Sequence, residues 1–146
     1  MKKIITLLLV FGFGIATTSA QETAKKLKKA KTTTAKVQGA GLVFKTETLD
    51  YGTIARGSDG KREFTFTNNG NAPLIISNAQ GSCGCTVPSI PREPILPGKS
   101  SSIGVSYDTN RVGAFTKTVT VTSNAAGQPS KVLTIKGTVT AEGVKS

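Results

Sequence analysis

The sequence predicts an all-β chain folded as an immunoglobulin-like antiparallel β-sandwich of about seven strands. Three observations predict it. From residue 40 onward, apolar and polar residues alternate in short runs, clusters of Gly, Asn, Pro and Ser divide those runs, and no stretch repeats at the helical period. A barrel is the other architecture the pattern allows. With 146 residues, the chain has room for one folded domain.

Residues 1–20, MKKIITLLLVFGFGIATTSA, carry the three parts of a secretory signal peptide: two lysines, an apolar run from Ile4 to Ile15, and a small-residue stretch ending at Ala20, where cleavage is expected. The run is shorter than the about 20 residues of a membrane-spanning helix. No later stretch approaches that length, so the mature chain is expected without a transmembrane segment, in the periplasm or secreted. The absence of a cysteine at the cleavage point argues against a lipoprotein.

Residues 21–39, QETAKKLKKAKTTTAKVQG, hold six lysines and only one leucine and one valine. Such a segment buries too little apolar surface to offset its ordering entropy and reads as a Lys-rich disordered linker. Its lysines suit a salt-sensitive contact with an anionic envelope surface, and equally an ordinary solvated tether. Formal net charge is +11, but residues 2–36 hold eight lysines against one glutamate, which leaves only +4 for Val37–Ser146. The export signal and the lack of aromatics among the lysines argue against nucleic-acid binding.

The domain is expected over residues 40–141, followed by a tail of 142–146. Phe64 and Phe66 alternate with Glu63, Thr65 and Thr67, and NNGNAP then marks a turn before Leu74-Ile75-Ile76. Ile103, Val105 and Tyr107 alternate with Ser102, Gly104 and Ser106. In FTKTVTVTS, Phe115, Val119 and Val121 face one way and the threonines the other, with Lys117 as the misfit. After the AAGQP turn, Leu133, Ile135 and Val139 repeat the scheme. Phe64, Phe66, Leu74, Ile76, Ile103, Val105, Phe115, Val119, Val121, Leu133 and Ile135 are the predicted core. There is no tryptophan, and the two cysteines are too close in sequence to join opposing sheets.

The chain has no histidine, which excludes His-based triads and the usual zinc hydrolase ligand sets. Ser58 and Lys61 have S-x-x-K spacing, but in a Gly-containing loop rather than on the helical turn the chemistry needs. Asp108-Thr109-Asn110 reads as a turn cap, since the further ligands of a calcium loop are missing. No catalytic residue and no cofactor is expected.

What remains is GSCGCT, which places Cys83 and Cys85 on either side of Gly84. In an extended strand residues two apart lie about 7 Å from each other, beyond the roughly 4.4 to 6.8 Å between the Cα atoms of a disulfide. Closing the pair needs a bend, for which Gly84 offers freedom. A loop of about three residues gains near 1.6 kcal/mol of closure entropy, about half that of a fifteen-residue loop. The pair therefore makes a poor staple. A structural disulfide, packed thiols, a redox pair, a Cu(I) site built on two soft thiolates and a covalent attachment point all fit the spacing.

The run from Phe64 to Val139 resembles the bacterial family labelled domain of unknown function 1573. The shared features are Asn68–Gly70, Pro73–Ile76, Ser82–Thr86, Pro97–Lys99, Gly113–Lys117 and Gly137–Val139, within a match over about residues 43–139. The resemblance implies an immunoglobulin-like sandwich related to major-sperm-protein and ASH-type modules, found in exported bacterial proteins, with no assigned reaction. It carries the motif onto Cys83, Gly84 and Cys85. The expected function is a non-enzymatic envelope module that binds a protein or cell-envelope partner. The alternative is a small thiol redox or Cu(I)-handling protein.

Overall fold

Alternation of apolar and polar side chains puts one face of each strand in water and the other against a second sheet. The computed structural model describes residues 36–141 and contains eight strands arranged in this way. The expected signal peptide (1–20), residues 21–35 of the expected linker and the tail (142–146) lie outside the described residues. In chain order the strands are β1 (Val43–Phe44), β2 (Thr48–Ala55), β3 (Lys61–Thr67), β4 (Ile76–Gly81), β5 (Thr86–Ser89), β6 (Ser100–Tyr107), β7 (Gly113–Ser123) and β8 (Ser130–Thr140). They form two four-stranded sheets, β1-β3-β6-β5 and β2-β8-β7-β4.

All eleven predicted core residues are buried between these sheets, with Phe64, Leu74, Ile103, Val119, Val121, Leu133 and Ile135 inaccessible to solvent. Phe44 joins them, its ring edge-on to Phe64 at 6.4 Å and tilted against Phe66 at 5.6 Å. At another part of the core Tyr107 stacks on Phe115 at 3.8 Å, and Tyr51 meets Phe115 edge-on at 5.4 Å. Gly137 makes room for this trio, since a Cβ there would crowd both Tyr51 and Phe115.

One pairing departs from the expected antiparallel scheme, because β2 runs parallel to β8. The chain pairs with β3 through β1, leaves the first sheet after Phe44, and joins the second through β2. Gly52, at φ 63°, sits at the irregularity between Asp50 and Thr53 that shifts the β2–β8 register. The strand expected at Leu74-Ile75-Ile76 also begins later, at Ile76. Leu74 instead makes an isolated bridge with Ile95, exchanging hydrogen bonds of 2.9 and 2.7 Å.

At the end of the segment read as a linker, Val37–Gly39 are held to the β3–β4 turn. Val37 N–H donates to Asn69 O at 3.2 Å, and Asn71 N–H to Gly39 O at 2.9 Å. Behind them Asn68 is fully buried and uses its whole amide. Its Oδ1 accepts from Gly41 N–H and Gly70 N–H at 3.0 and 2.9 Å. Its Nδ2 donates to Ala72 O and Ile95 O, each at 2.8 Å.

Tyr51 donates its hydroxyl to Gly60 O at 2.9 Å beneath the Arg62 guanidinium, which lies 4.7 Å from the ring centre. Burial raises its pKa above the ordinary phenol value; Arg62 lowers it and Asp59 raises it further. The unfolded chain therefore ionises first as the pH climbs. Stability from this group should be complete below the ordinary phenol value and lost as the pH rises through the folded-state value. Thermal unfolding from about pH 8 to 11 should show a steeper alkaline decline in the wild type than in Tyr51→Phe.

Candidate functional site

β4 is an edge of the second sheet and β5 an edge of the first, so Ser82–Cys85 carry the chain from one layer to the other. Ser82 N–H donates to Thr118 O at 2.9 Å, and Thr118 N–H returns a bond to Ser82 Oγ at 3.2 Å. Thr86 N–H closes the turn on Cys83 O at 3.2 Å, and Asp108 N–H reaches Cys85 O at 2.9 Å. The turn is thus tied to β7 and to the end of β6 without help from sulfur.

Within this turn the sulfurs of Cys83 and Cys85 are bonded, with the Cα atoms 5.2 Å apart. Cys85 is buried against the core and Cys83 is half-buried beside it. Thr86 Oγ1 lies 3.7 Å from the Cys83 sulfur and 3.9 Å from that of Cys85. A Cu(I) ion at the pair would need the bridge reduced first. Among the described residues no group of three or more His, Cys, Asp or Glu side chains converges on a common point.

The glycine expected to allow the bend is not the one that sterics single out. Gly84 has no left-handed φ, and a Cβ on it would meet nothing within 4 Å. Gly81, by contrast, lies against the next strand, where a Cβ would run into the Thr86 carbonyl.

Lys117 occupies a position that sequence alternation marked as a misfit without giving it a role. It pairs with Ile135, which in turn pairs with Leu49, so its position belongs to the core-facing row of the second sheet. The β4–β7 register ends at Gly81–Val119, and Ser82 N–H still bonds to Thr118 O, so the same line continued by one residue points Cys83 toward the Lys117 position. Lys117 is half-buried. It also borders a shallow cleft with Tyr107, Arg111 and Phe115, and Tyr107 pairs with Thr86 of the motif.

The remaining sequence candidates are structural. Ser58 Oγ donates to Ala55 O at 2.6 Å in a turn, while Lys61 opens β3 on an exposed face. Asp108 Oδ1 accepts from Asn110 N–H at 3.1 Å as a turn cap.

Both β4 and β5 are edge strands that differ in how open they are. The bond to Cys85 O puts Val87 and Ser89 in the hydrogen-bonded positions toward β6, so the outward backbone of β5 belongs to Thr86 and Pro88. Proline offers no N–H there, which blunts the edge.

Because Gly81 is sterically constrained and Gly84 is not, Gly81→Ala should lower the melting temperature by several degrees, and Gly84→Ala should leave it within about one degree. Thermal unfolding of the two variants beside the wild type checks this. Equal losses would contradict the packing described.

Comparison with solved structures agrees with the sandwich. A protein of unknown function from Porphyromonas gingivalis W83 shares 18% identity at a TM-score of 0.61, covering 69% of this chain and 47% of that one. The ASH/PapD-like domain of human CEP192 shares 9% identity at 0.54, covering 69% and 86%. The secreted serine protease VesC from Vibrio cholerae shares 19% identity at 0.51, but the match covers only 23% of that chain. Likeness at these identities shows the fold alone. Comparison with curated proteins returns no match. Residues 42–139 match the family model described as protein of unknown function (DUF1573), and the chain belongs to that family.

Proposed function

We propose that this protein is an exported, non-enzymatic immunoglobulin-like module of the cell envelope that binds a protein partner. The observation that carries the reading is the apolar exposure beside the Leu74–Ile95 bridge. Leu74 and Ile95 point inward and are buried, whereas their neighbours Ile75 and Leu96 are 47% and 56% exposed. Each takes the parity opposite to its buried neighbour, so both present to the outside of the same bridge.

The outer faces of the sheets are of different character. Thr116, Thr118, Thr120 and Thr122 on β7 lie beside Thr134, Lys136 and Thr138 on β8, and Ser102 and Ser106 occupy the outer positions of β6, with single exposed valines, Val132 opposite Thr120 and Val87 opposite Ser106, set among them. These valines stand singly among hydroxyls, whereas Ile75 and Leu96 flank one bridge. An apolar patch next to polar faces is where a protein contact displaces the most unfavourable water.

The leader expected at residues 1–20 supports export, so the purified mature chain should begin at Gln21, as intact mass will show. In cells, a photo-crosslinker at Leu96 should give a discrete protein adduct, one at Thr120 should not, and Ile75→Asp should abolish the adduct. Equal labelling at both positions, or none at Leu96, would refute the reading.

A further inference from the structure

Four features of the turn fit poorly with a bridge that only holds the chain together. Backbone and hydroxyl hydrogen bonds already fix Ser82, Cys83, Cys85 and Thr86 in place. A link across one residue removes little freedom from the unfolded chain. Gly84 is exposed, lacks a positive φ and has open space where a Cβ would stand, so the fold itself does not call for glycine there. Finally, the core-facing position toward which the β4–β7 register points Cys83 carries a lysine, where the same row has Ile135 and Leu49.

A cation does nothing for a neutral disulfide. Beside cysteines that open and close, it stabilises the thiolate, the form that attacks and the form that leaves. The ion pairs among the described residues join Lys131 to Glu47 and Lys136 to Asp50, and Lys117 is in neither. Strands β4, β5 and β6 carry no charged residue. The other charged groups near the turn are Asp108 and Arg111, in the connection between β6 and β7. Asp108 directs its carboxylate to the backbone and amide of Asn110, both at 3.1 Å. Lys117 is therefore the charge toward which the β4–β7 register points the cysteine turn.

We propose that Cys83–Cys85 is a thiol–disulfide exchange site that accepts two electrons from a dithiol, with Lys117 as the positioning cation for the thiolate. A thiolate of the dithiol attacks the sulfur of Cys83, the more exposed of the two. The Cys83–Cys85 bond breaks, Cys85 leaves as a thiolate, and a mixed disulfide remains on Cys83. The second thiol of the partner, once deprotonated, attacks the partner's own sulfur in that mixed disulfide and expels the Cys83 thiolate. The partner ends as a disulfide, and its two protons end on Cys83 and Cys85. Gly84 leaves the approach to Cys83 uncluttered. This inference is independent of the partner patch beside the Leu74–Ile95 bridge, and either can fail alone.

Two measurements on the purified mature protein test it. In the reduced protein, iodoacetamide alkylation followed against pH should have its midpoint below the about 8.5 of an ordinary thiol. Lys117→Gln should move the midpoint upward and slow alkylation at neutral pH at least about three-fold, the change that half a pH unit produces, and Lys117→Arg should restore it. The oxidised wild type should be reduced by dithiothreitol without unfolding, and a quenched reaction with glutathione should carry the adduct on Cys83. Identical midpoints in wild type and Lys117→Gln, an adduct confined to Cys85, or a bridge that opens only in denaturant would each overturn the proposal.

Discussion

Closure of the sandwich depends on a single buried amide. Asn68 has no solvent exposure, yet its side chain joins three separate pieces of chain: the entry segment at Gly41, the β3–β4 turn at Gly70 and Ala72, and the β5–β6 connection at Ile95. Its backbone adds a bond to Lys99 O at 2.9 Å and receives one from Gly98 N–H at 2.8 Å. A buried amide is tolerated only when its donors and acceptors are all matched, and here each oxygen and nitrogen of the side chain has two partners. The crossing is so close that a Cβ on Gly41 would strike Asn69 and one on Gly70 would strike Gly39. Asn and Gly at these positions follow from one packing constraint rather than from two turn preferences.

From that junction the rest of the architecture can be followed. The entry segment, held near Asn68, runs into β1 on the first sheet and then, through residues 45–47, into β2 on the second, so the chain crosses between the layers on this side. On the opposite side β4 and β5 are joined by the four-residue turn that carries the cysteines. Pro88 blunts one of these edges, and Gly81 lets the other lie against the Thr86 carbonyl. Cys83, Lys117 and the Ile75–Leu96 patch come from segments along or next to this second crossing.

Much of this was legible in the sequence because burial in a sandwich has period two. Phe64 and Phe66, Ile103 and Val105, Val119 and Val121, and Leu133 and Ile135 all alternate cleanly, and all are buried. The first strands were harder to read. In TLDYGTIA the alternation breaks where Gly52 takes a positive φ, and nothing local says that the segment pairs in parallel with a strand more than eighty residues away. Asn68 looked like an ordinary turn residue because its partners, Gly41 and Ile95, are distant in the chain. Lys117 was visible as an exception to the pattern, but only the β4–β7 register, continued past Gly81, points Cys83 toward it. Gly81, not Gly84, makes the close approach, and it makes it to Thr86 across the turn, where no local pattern marks it.

The central claim is that buried packing closed by Asn68, rather than the sulfur bridge, holds the domain together. Equilibrium unfolding in denaturant of the oxidised wild type, the reduced wild type and Asn68→Ala tests it in one series. Reduction should cost under about 2 kcal/mol. Asn68→Ala, which strands buried N–H and C=O groups, should cost about 3 kcal/mol or more. A reduced protein that unfolds while Asn68→Ala keeps wild-type stability would contradict it.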